Sequence, residues 1–162
     1  MKQLLAAIAA TLALCAPAHA TRLWNWSYSG SGISASGAFT TTDTPDASGF
    51  YRITGVTGQR NGVAITELTP AGAAIPGNEP YTVDDLVRVA GPQLTVDGLG
   101  FALADGSYSS PFCASSSDKP ACKEFHSMPA SRSSAEGAIH FNASLAATPA
   151  PDSEPSVKSG PR

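Results

Sequence analysis

The sequence predicts an all-β protein, folded as a single antiparallel meander that forms either a sandwich or a small barrel. Three observations lead to this prediction. After residue 20, short runs alternate apolar and polar residues as strands do, and the repeat of an amphipathic helix is almost absent. Gly, Asn, Asp and Pro, which favour turns, separate these runs. Charged residues make up 14% of the chain, against about a quarter in ordinary globular domains.

The two ends of the chain differ from this β pattern. Lys2, the uncharged run 4–14 and Ala18-His19-Ala20 have the order of a secretory signal peptide with its cleavage site. The apolar run is shorter than the roughly twenty residues of a membrane span, and we expect no stable span elsewhere. The end of the chain is rich in Ala, Thr, Pro and Ser, which is typical of disorder. We therefore predict a signal peptide at 1–20, one β domain at 21–146 and a disordered tail at 147–162.

Four strands are predicted in the first half of the domain. They are Trp24–Tyr28, Ile33–Thr40, Phe50–Val56 and Val63–Thr66. The first places three aromatic side chains on one face. Gly30-Ser31-Gly32 turns the chain into the second strand, and Asn61-Gly62 suits the positive φ angles of a tight hairpin between the third and fourth. The sequence thus predicts consecutive antiparallel neighbours.

The second half begins with a long loop, Pro70–Pro80, and continues with further strands. They are Leu86–Val89, Gln93–Val96, Leu99–Ala104, Ser107–Phe112 and Ala138–Leu145. Asp97-Gly98 and Asp105-Gly106 are hairpin signals, so strands 93–96, 99–104 and 107–112 are predicted to form a three-stranded meander. Leu99, Phe101 and Leu103 share one face, and the small residues between them form a flat face on which another layer could lie. Asp84-Asp85 allows a single helical turn before residue 86.

Several segments, taken in order, resemble a group of bacterial exported proteins that carry a PEP-CTERM sorting signal read by an exosortase. They are Ser29–Gly37, Ile53–Gly58, Arg60–Thr66, Ile75–Tyr81, Gly91–Thr95 and Leu103–Gly106. The resemblance implies secretion by a Gram-negative bacterium that makes exopolysaccharide. It implies a place at the cell surface or in the extracellular matrix, with extracellular polysaccharide or other matrix proteins as partners. It supplies no catalytic residues.

The chain departs from this group in two places. The sorting signal would be Pro-Glu-Pro, an apolar span and a basic cluster, whereas Ser153–Ser156 is at most a remnant and the apolar sorting tail is lacking. We therefore expect release from the membrane. The stretch from Cys113 to Cys122 also differs from the aromatic-rich segment usual there. The formal net charge of −3 argues separately against a nucleic-acid partner, which favours a basic surface.

Cys113 and Cys122 are the only cysteines after the predicted cleavage site. Export to an oxidising compartment favours a disulfide between them. The alternatives are two free or intermolecular thiols, or a zinc site completed by His126 and His140, although the spacing fits no familiar zinc motif. We predict the disulfide, with no metal and no cofactor.

Each of the remaining candidate site residues also suits an ordinary structural role. Trp24, Trp26 and Tyr28 are candidates for a carbohydrate-binding platform, but three aromatic residues on one face of a small domain also suit its core. His126, in a stretch predicted to be irregular, could serve a Ser-His-Asp site, and His140 is expected on the surface.

The acidic side chains Glu79, Asp84 and Asp85 could form a glycosidase pair or bind calcium, although no calcium-loop pattern supports the latter. No hydrolase motif such as G-x-S-x-G is present. The sequence thus favours a secreted, non-enzymatic protein of the surface or exopolysaccharide matrix. The first alternative is a carbohydrate-binding module using exposed aromatic residues. A small secreted hydrolase comes third.

Overall fold

The computed structural model describes residues 21–114 and 121–147, and these form an eight-stranded antiparallel closed barrel with one extra strand. The strands are β1 (Thr21–Gly30), β2 (Ile33–Thr42), β3 (Tyr51–Arg60), β4 (Val63–Leu68), β5 (Leu86–Val87), β6 (Phe101–Leu103), β7 (Tyr108–Ala114), β8 (Ala121–Met128) and β9 (Ser133–Leu145). A short 3₁₀ helix, Pro129–Ser131, joins the last two. The predicted signal peptide and C-terminal tail lie outside the described residues, apart from Ala147.

Each barrel strand pairs with its neighbours in the sequence, and β9 pairs with β1 to close the barrel. The exception is β5, which pairs with the start of β3 outside the barrel order, so that β4 pairs directly with β6. Closure gives both sides of every barrel strand a hydrogen-bonding partner, which an open sheet cannot do for its edge strands. The all-β prediction is confirmed, and of its two forms the barrel is correct.

Side chains fill the interior of the barrel, as is usual when eight strands close. The alternating pattern of β1 places Trp24, Trp26 and Tyr28 inward, with exposed fractions of 0, 4 and 2%. Phe39 of β2 lies opposite Trp24 and contacts its ring, and Phe101 of β6 contacts Trp26. The prediction that these three residues share one face is confirmed, and that face forms the centre of the core.

Several local predictions are confirmed. Asn61 and Gly62 adopt positive φ angles of 47° and 83°, as the predicted hairpin between β3 and β4 requires. Leu99, Phe101 and Leu103 are all buried, and Ile139 points into the core while His140 is exposed. The predicted flat face is covered in part, because Gly100 lies against Ile75 of the long loop whereas Ala104 is exposed.

Four predictions about elements were wrong. Residues 93–96 do not form the first strand of a meander, since Leu94 makes only an isolated bridge to Val87. The predicted helical turn is absent because Asp85 has a left-handed φ of 54°. The stretch around His126 is not irregular but is strand β8, and β9 begins at Ser133 rather than at Ala138. The sequence of β8 does not show the usual alternation of apolar and polar residues, because its inward positions are occupied by Cys122, Glu124 and His126.

The segment between β4 and β6 packs over the outside of β7 and β8 and reaches the end of β9. Ser127 Oγ donates a hydrogen bond to Pro76 O at 2.6 Å, and the Gln93 amide bonds both backbone groups of Ala143 at 2.7 Å. Ile75 in this segment is fully buried. The segment is therefore a fixed second layer on one side of the barrel. No helix in the described part of the chain is long and apolar enough to cross a membrane.

Candidate functional site

A buried cluster of charged and polar side chains lies inside the barrel. Arg60 at the end of β3 donates two hydrogen bonds to the Glu124 carboxylate, both at 2.7 Å, and Tyr28 Oη donates a third. The side chains of Glu124 and Arg60 are 0% and 12% exposed. Burial and the neighbouring Glu124 raise the pKa of Tyr28 far above its usual range, so its hydroxyl remains a donor. The cluster joins three separate strands through satisfied hydrogen bonds.

Ser109 and His126 form a second polar pair in the interior, with Ser109 Oγ 3.0 Å from His126 Nδ1. Burial lowers the pKa of His126, and the positive charge of Arg60 lowers it further. This contact joins the two residue types of a serine hydrolase. Ser109, however, has no exposed surface, so its hydroxyl is not presented to a substrate. The geometry is that of a structural hydrogen bond within the core.

The burial of Trp24, Trp26 and Tyr28 excludes them from an exposed platform for sugar rings. A stacking platform needs ring faces open to solvent. Here Trp26 stacks on Tyr28, and the three rings also pack against Phe39, Phe101 and Phe141. The sequence could not decide between core and platform, because alternation shows which residues share a face and not what covers that face.

Cys113 and Cys122 are joined by a disulfide, as predicted. They face each other across the paired strands β7 and β8, at the end of that hairpin. Since both sulfurs are in this bond, they are not thiolate ligands for zinc. No group of three or more His, Cys, Asp or Glu residues within ranges 21–114 and 121–147 is placed to hold a metal ion.

The predicted acidic candidates take structural positions. Asp84 Oδ1 accepts a hydrogen bond from Thr95 Oγ1 at 2.7 Å. Asp85 is 2% exposed, and its Oδ1 has no partner among the described residues. Burial raises the pKa of Asp85 to about 7. Glu79 accepts a hydrogen bond from the Gly77 amide within its own loop. None of the three lines the cleft described next.

A cleft of about 390 Å³ lies between the long loop and the outer faces of β7, β8 and β9. Its apolar surface comes from Tyr81, Phe112 and Phe125, with Val96 at the rim. Tyr81 is 72% exposed and Val96 is 62% exposed, whereas both phenylalanines are half-buried. We call this the aromatic cleft. Its concave shape with a few aromatic side chains is typical of a small-molecule or sugar site.

Polar side chains converge on the same cleft. Asn78 and Thr82 come from the long loop, Asp97 from the turn before β6, Ser110 from β7 and Glu136 from β9. Amide, hydroxyl and carboxylate groups at these positions can donate to and accept from the hydroxyl groups of a sugar. The cleft therefore combines the apolar faces of its aromatic rings with polar side chains around them.

The loop wall of the aromatic cleft is fastened to strand β8. Gly77 has a φ of 88°, and a Cβ there would overlap Ser127 Oγ, so only glycine allows the loop to approach this strand so closely. Backbone hydrogen bonds of 3.0 Å from Asn78 N to Ile75 O and from Tyr81 N to Asn78 O then fold the loop into consecutive turns. These contacts place the Tyr81 ring at the cleft although it protrudes into solvent.

The opposite wall is held by hydrogen bonds from the segment before β5. Gly98 O accepts from the amides of Asp84 and Asp85, at 3.1 and 2.9 Å. Gly98 N donates to Thr95 Oγ1 at 2.9 Å, and Thr95 Oγ1 donates to Asp84. The turn that carries Val96 and Asp97 is therefore fixed from inside the protein. The predicted Asp97-Gly98 hairpin signal is part of this wall.

Two carboxylates set the charge of the aromatic cleft. Glu136 is paired with Lys123 Nζ at 2.7 Å, and both side chains are nearly half exposed. Asp97 has no ion pair or side-chain hydrogen bond with the described residues. Among the described residues, the cleft therefore has one carboxylate with an ion-pair partner and one without, and the charge of the second disfavours an anionic group beside Asp97.

The sequence alone does not predict the aromatic cleft. Tyr81 directly follows the predicted loop 70–80, and Phe125 and Glu136 lie where the sequence predicts no strand. One feature of the sequence could have indicated the cleft. Tyr81 is an aromatic residue beside a Pro- and Gly-rich loop, where a place in the core is not expected. Comparison of the chain with protein-family models, curated proteins and solved structures found no match.

Proposed function

We propose that this protein is a secreted, non-enzymatic protein of the cell surface or exopolysaccharide matrix, and that it binds polysaccharide in the aromatic cleft. The observation that carries the proposal is the exposed ring of Tyr81 beside Phe112 and Phe125, with hydrogen-bonding side chains around it. The C–H face of a sugar ring packs favourably on the electron-rich face of an aromatic ring. The surrounding polar groups then fix the orientation of the sugar.

Secretion is supported by the disulfide, since such bonds persist in oxidising compartments and are rare in the cytosol. The predicted signal peptide agrees with it. The non-enzymatic part is supported by the full burial of Ser109, the nucleophile of the one Ser-His contact in the described residues. Because aromatic side chains fill the interior of the barrel, a ligand has to bind on the outer surface.

Binding of the mature protein to a panel of immobilised neutral polysaccharides tests this proposal. The panel contains glucans, galactans and polymers of N-acetylglucosamine, and binding is measured by retention and by calorimetry. We expect Tyr81→Ala to weaken binding about tenfold, the equivalent of an aromatic contact of about 1.4 kcal/mol, and Tyr81→Phe to retain most of it. Leu23→Ala is the matched control, because Leu23 is 51% exposed and lies outside the cleft.

Two outcomes would contradict the proposal. Equal binding by the Tyr81→Ala variant and the unaltered protein would exclude the aromatic cleft as the site, and no binding across the panel would exclude carbohydrate binding. Hydrolysis of any polymer that His126→Ala abolishes would instead show that the protein is an enzyme.

A further inference from the structure

A second depression lies next to the aromatic cleft on the outer face of the β8–β9 hairpin. It has a volume of about 310 Å³ and is lined by Gly77, Ser127, Pro129, Arg132, Ser133 and Ser134. We call it the Arg132 depression. Its hydroxyl and guanidinium groups differ in chemistry from the aromatic rings of the neighbouring cleft.

The strand register shows that the two sites are adjacent. Phe125 pairs with Glu136 in the aromatic cleft, and Ser127 pairs with Ser134 in the Arg132 depression. Each pair is two residues along its strand from the other, a distance of about 6.7 Å. The loop also runs from one site to the other, since Asn78 borders the cleft and Gly77 the depression. The cleft and the depression thus lie side by side along β8 and β9, and we call the two together the groove.

The groove has opposite charges at its two ends. Asp97 lies at the aromatic end without a basic partner among the described residues. Arg132 lies at the other end, exposed, and makes no ion pair or side-chain hydrogen bond within ranges 21–114 and 121–147. Its backbone is held in the left-handed region, with a φ of 52°, where a non-glycine residue is uncommon. This conformation ends the 3₁₀ helix Pro129–Ser131, where the Arg132 amide donates a hydrogen bond to Pro129 O, and it fixes the backbone from which the Arg132 side chain extends.

We infer that the ligand is a polysaccharide chain that bears a sparse acidic substituent, with a neutral sugar ring on Tyr81 and the acidic group on Arg132. This inference rests on the proposed function. The planar guanidinium matches a carboxylate or another oxyanion through two parallel hydrogen bonds. The Ser133 and Ser134 hydroxyls lie beside it as further donors. A densely charged polymer fits less well, because it would also place an anion beside Asp97.

The test compares each neutral polymer of the panel with the same polymer after partial oxidation of its primary alcohols to carboxylates. A partially sulfated preparation distinguishes a carboxylate from another oxyanion, and a fully oxidised one tests charge density. We expect the lightly substituted polymer to bind about tenfold more tightly than the neutral one, as for one charge-assisted hydrogen-bonded contact. The advantage should shrink as the salt concentration rises.

Arg132→Gln should remove this advantage and leave the binding of the neutral polymer unchanged, whereas Arg132→Lys should retain part of it. Arg22→Gln is the matched control, because it removes one positive charge from a partly exposed residue that pairs with Asp43 away from the groove. Unchanged urea unfolding verifies that each variant is folded.

Three results would overturn the inference. The first is equal affinity for neutral and lightly substituted polymers. The second is a loss of neutral-polymer binding in Arg132→Gln equal to its loss of substituted-polymer binding, which would mark Arg132 as structural. The third is tighter binding of the fully oxidised polymer than of the lightly substituted one. In each case Tyr81-dependent binding of neutral polymers would still support the proposed function, whereas no binding to any polymer would refute both.

Discussion

Replacing Arg60 by Met is expected to destabilise the barrel strongly, because it leaves the Glu124 carboxylate buried with Tyr28 as its remaining donor in the cluster. Glu124 has no exposed side-chain surface and loses two hydrogen bonds of 2.7 Å in this variant. Removing one partner of a buried pair typically costs about 3–5 kcal/mol. Domains of this size have a total free energy of unfolding of about 5–15 kcal/mol, so the loss would be a large part of it.

The chain contains a matched control for this experiment. Lys123 and Glu136 form an ion pair with the same 2.7 Å separation, but their side chains are 47% and 45% exposed. Exposed pairs contribute about 0–1 kcal/mol, since water solvates both charges in either state. Lys123→Met should therefore cost far less than Arg60→Met, although the two pairs have equal distances.

Urea unfolding followed by tryptophan fluorescence measures both effects, because Trp24 and Trp26 are buried in the folded barrel. The double variant Arg60→Met with Glu124→Gln should recover much of the stability that Arg60→Met loses, since no buried charge remains unpaired. Equal costs for the Arg60 and Lys123 variants, or a double variant as unstable as the sum of its single changes, would refute the reasoning.

Two further predictions concern the disulfide and Asp85. Changing both Cys113 and Cys122 to Ser should cost about 2.5 kcal/mol, from the loop entropy of a nine-residue separation. Reductant should lower the stability of the unaltered protein similarly, and identical unfolding with and without reductant would contradict this. Because burial raises the pKa of Asp85 from 3.8 to about 7, the folded state retains a proton that the unfolded state releases, and stability should fall as pH rises from about 4 to 7. The variant Asp85→Asn should lose this pH dependence, and asparagine tolerates the left-handed backbone at this position. If the stability of the variant and of the unaltered protein changed with pH in the same way, the assignment to Asp85 would be wrong.

The sequence was most informative where local chemistry decides the structure. Asn61-Gly62 predicted a turn because few residue pairs tolerate two consecutive positive φ angles. Leu99, Phe101 and Leu103 predicted a buried face because apolar side chains at every second position of a strand point the same way. The pairing of Cys113 with Cys122 was also predictable, because they are the only two cysteines of the predicted mature chain.

The sequence was least informative where one strand depends on another that is distant along the chain. Glu124 breaks the apolar pattern of β8, and its inward position makes sense only when Arg60 of β3 lies across from it, 64 residues away. Similarly, residues 93–96 alternate like a strand that would pair with 99–104. In the structure, Thr95 O and Leu99 N instead form backbone hydrogen bonds with Cys113 and Pro111 of β7. The hydrophobic periodicity of a segment depends on that segment alone. It therefore could not predict the inward position of Glu124 or the bonding of residues 95 and 99 to β7.

By itself, the sequence determined the all-β class, the order of most strands, the disulfide and the shared aromatic face of β1. These depend on turn chemistry and on alternation between adjacent residues, which are local properties. The tertiary structure decided that the meander closes into a barrel and that Trp24, Trp26 and Tyr28 fill it. It also brought Tyr81, Phe125 and Glu136 together in the aromatic cleft. These results required the closing pair β9–β1 and the packing of the long loop on β8, and both join residues far apart in the chain.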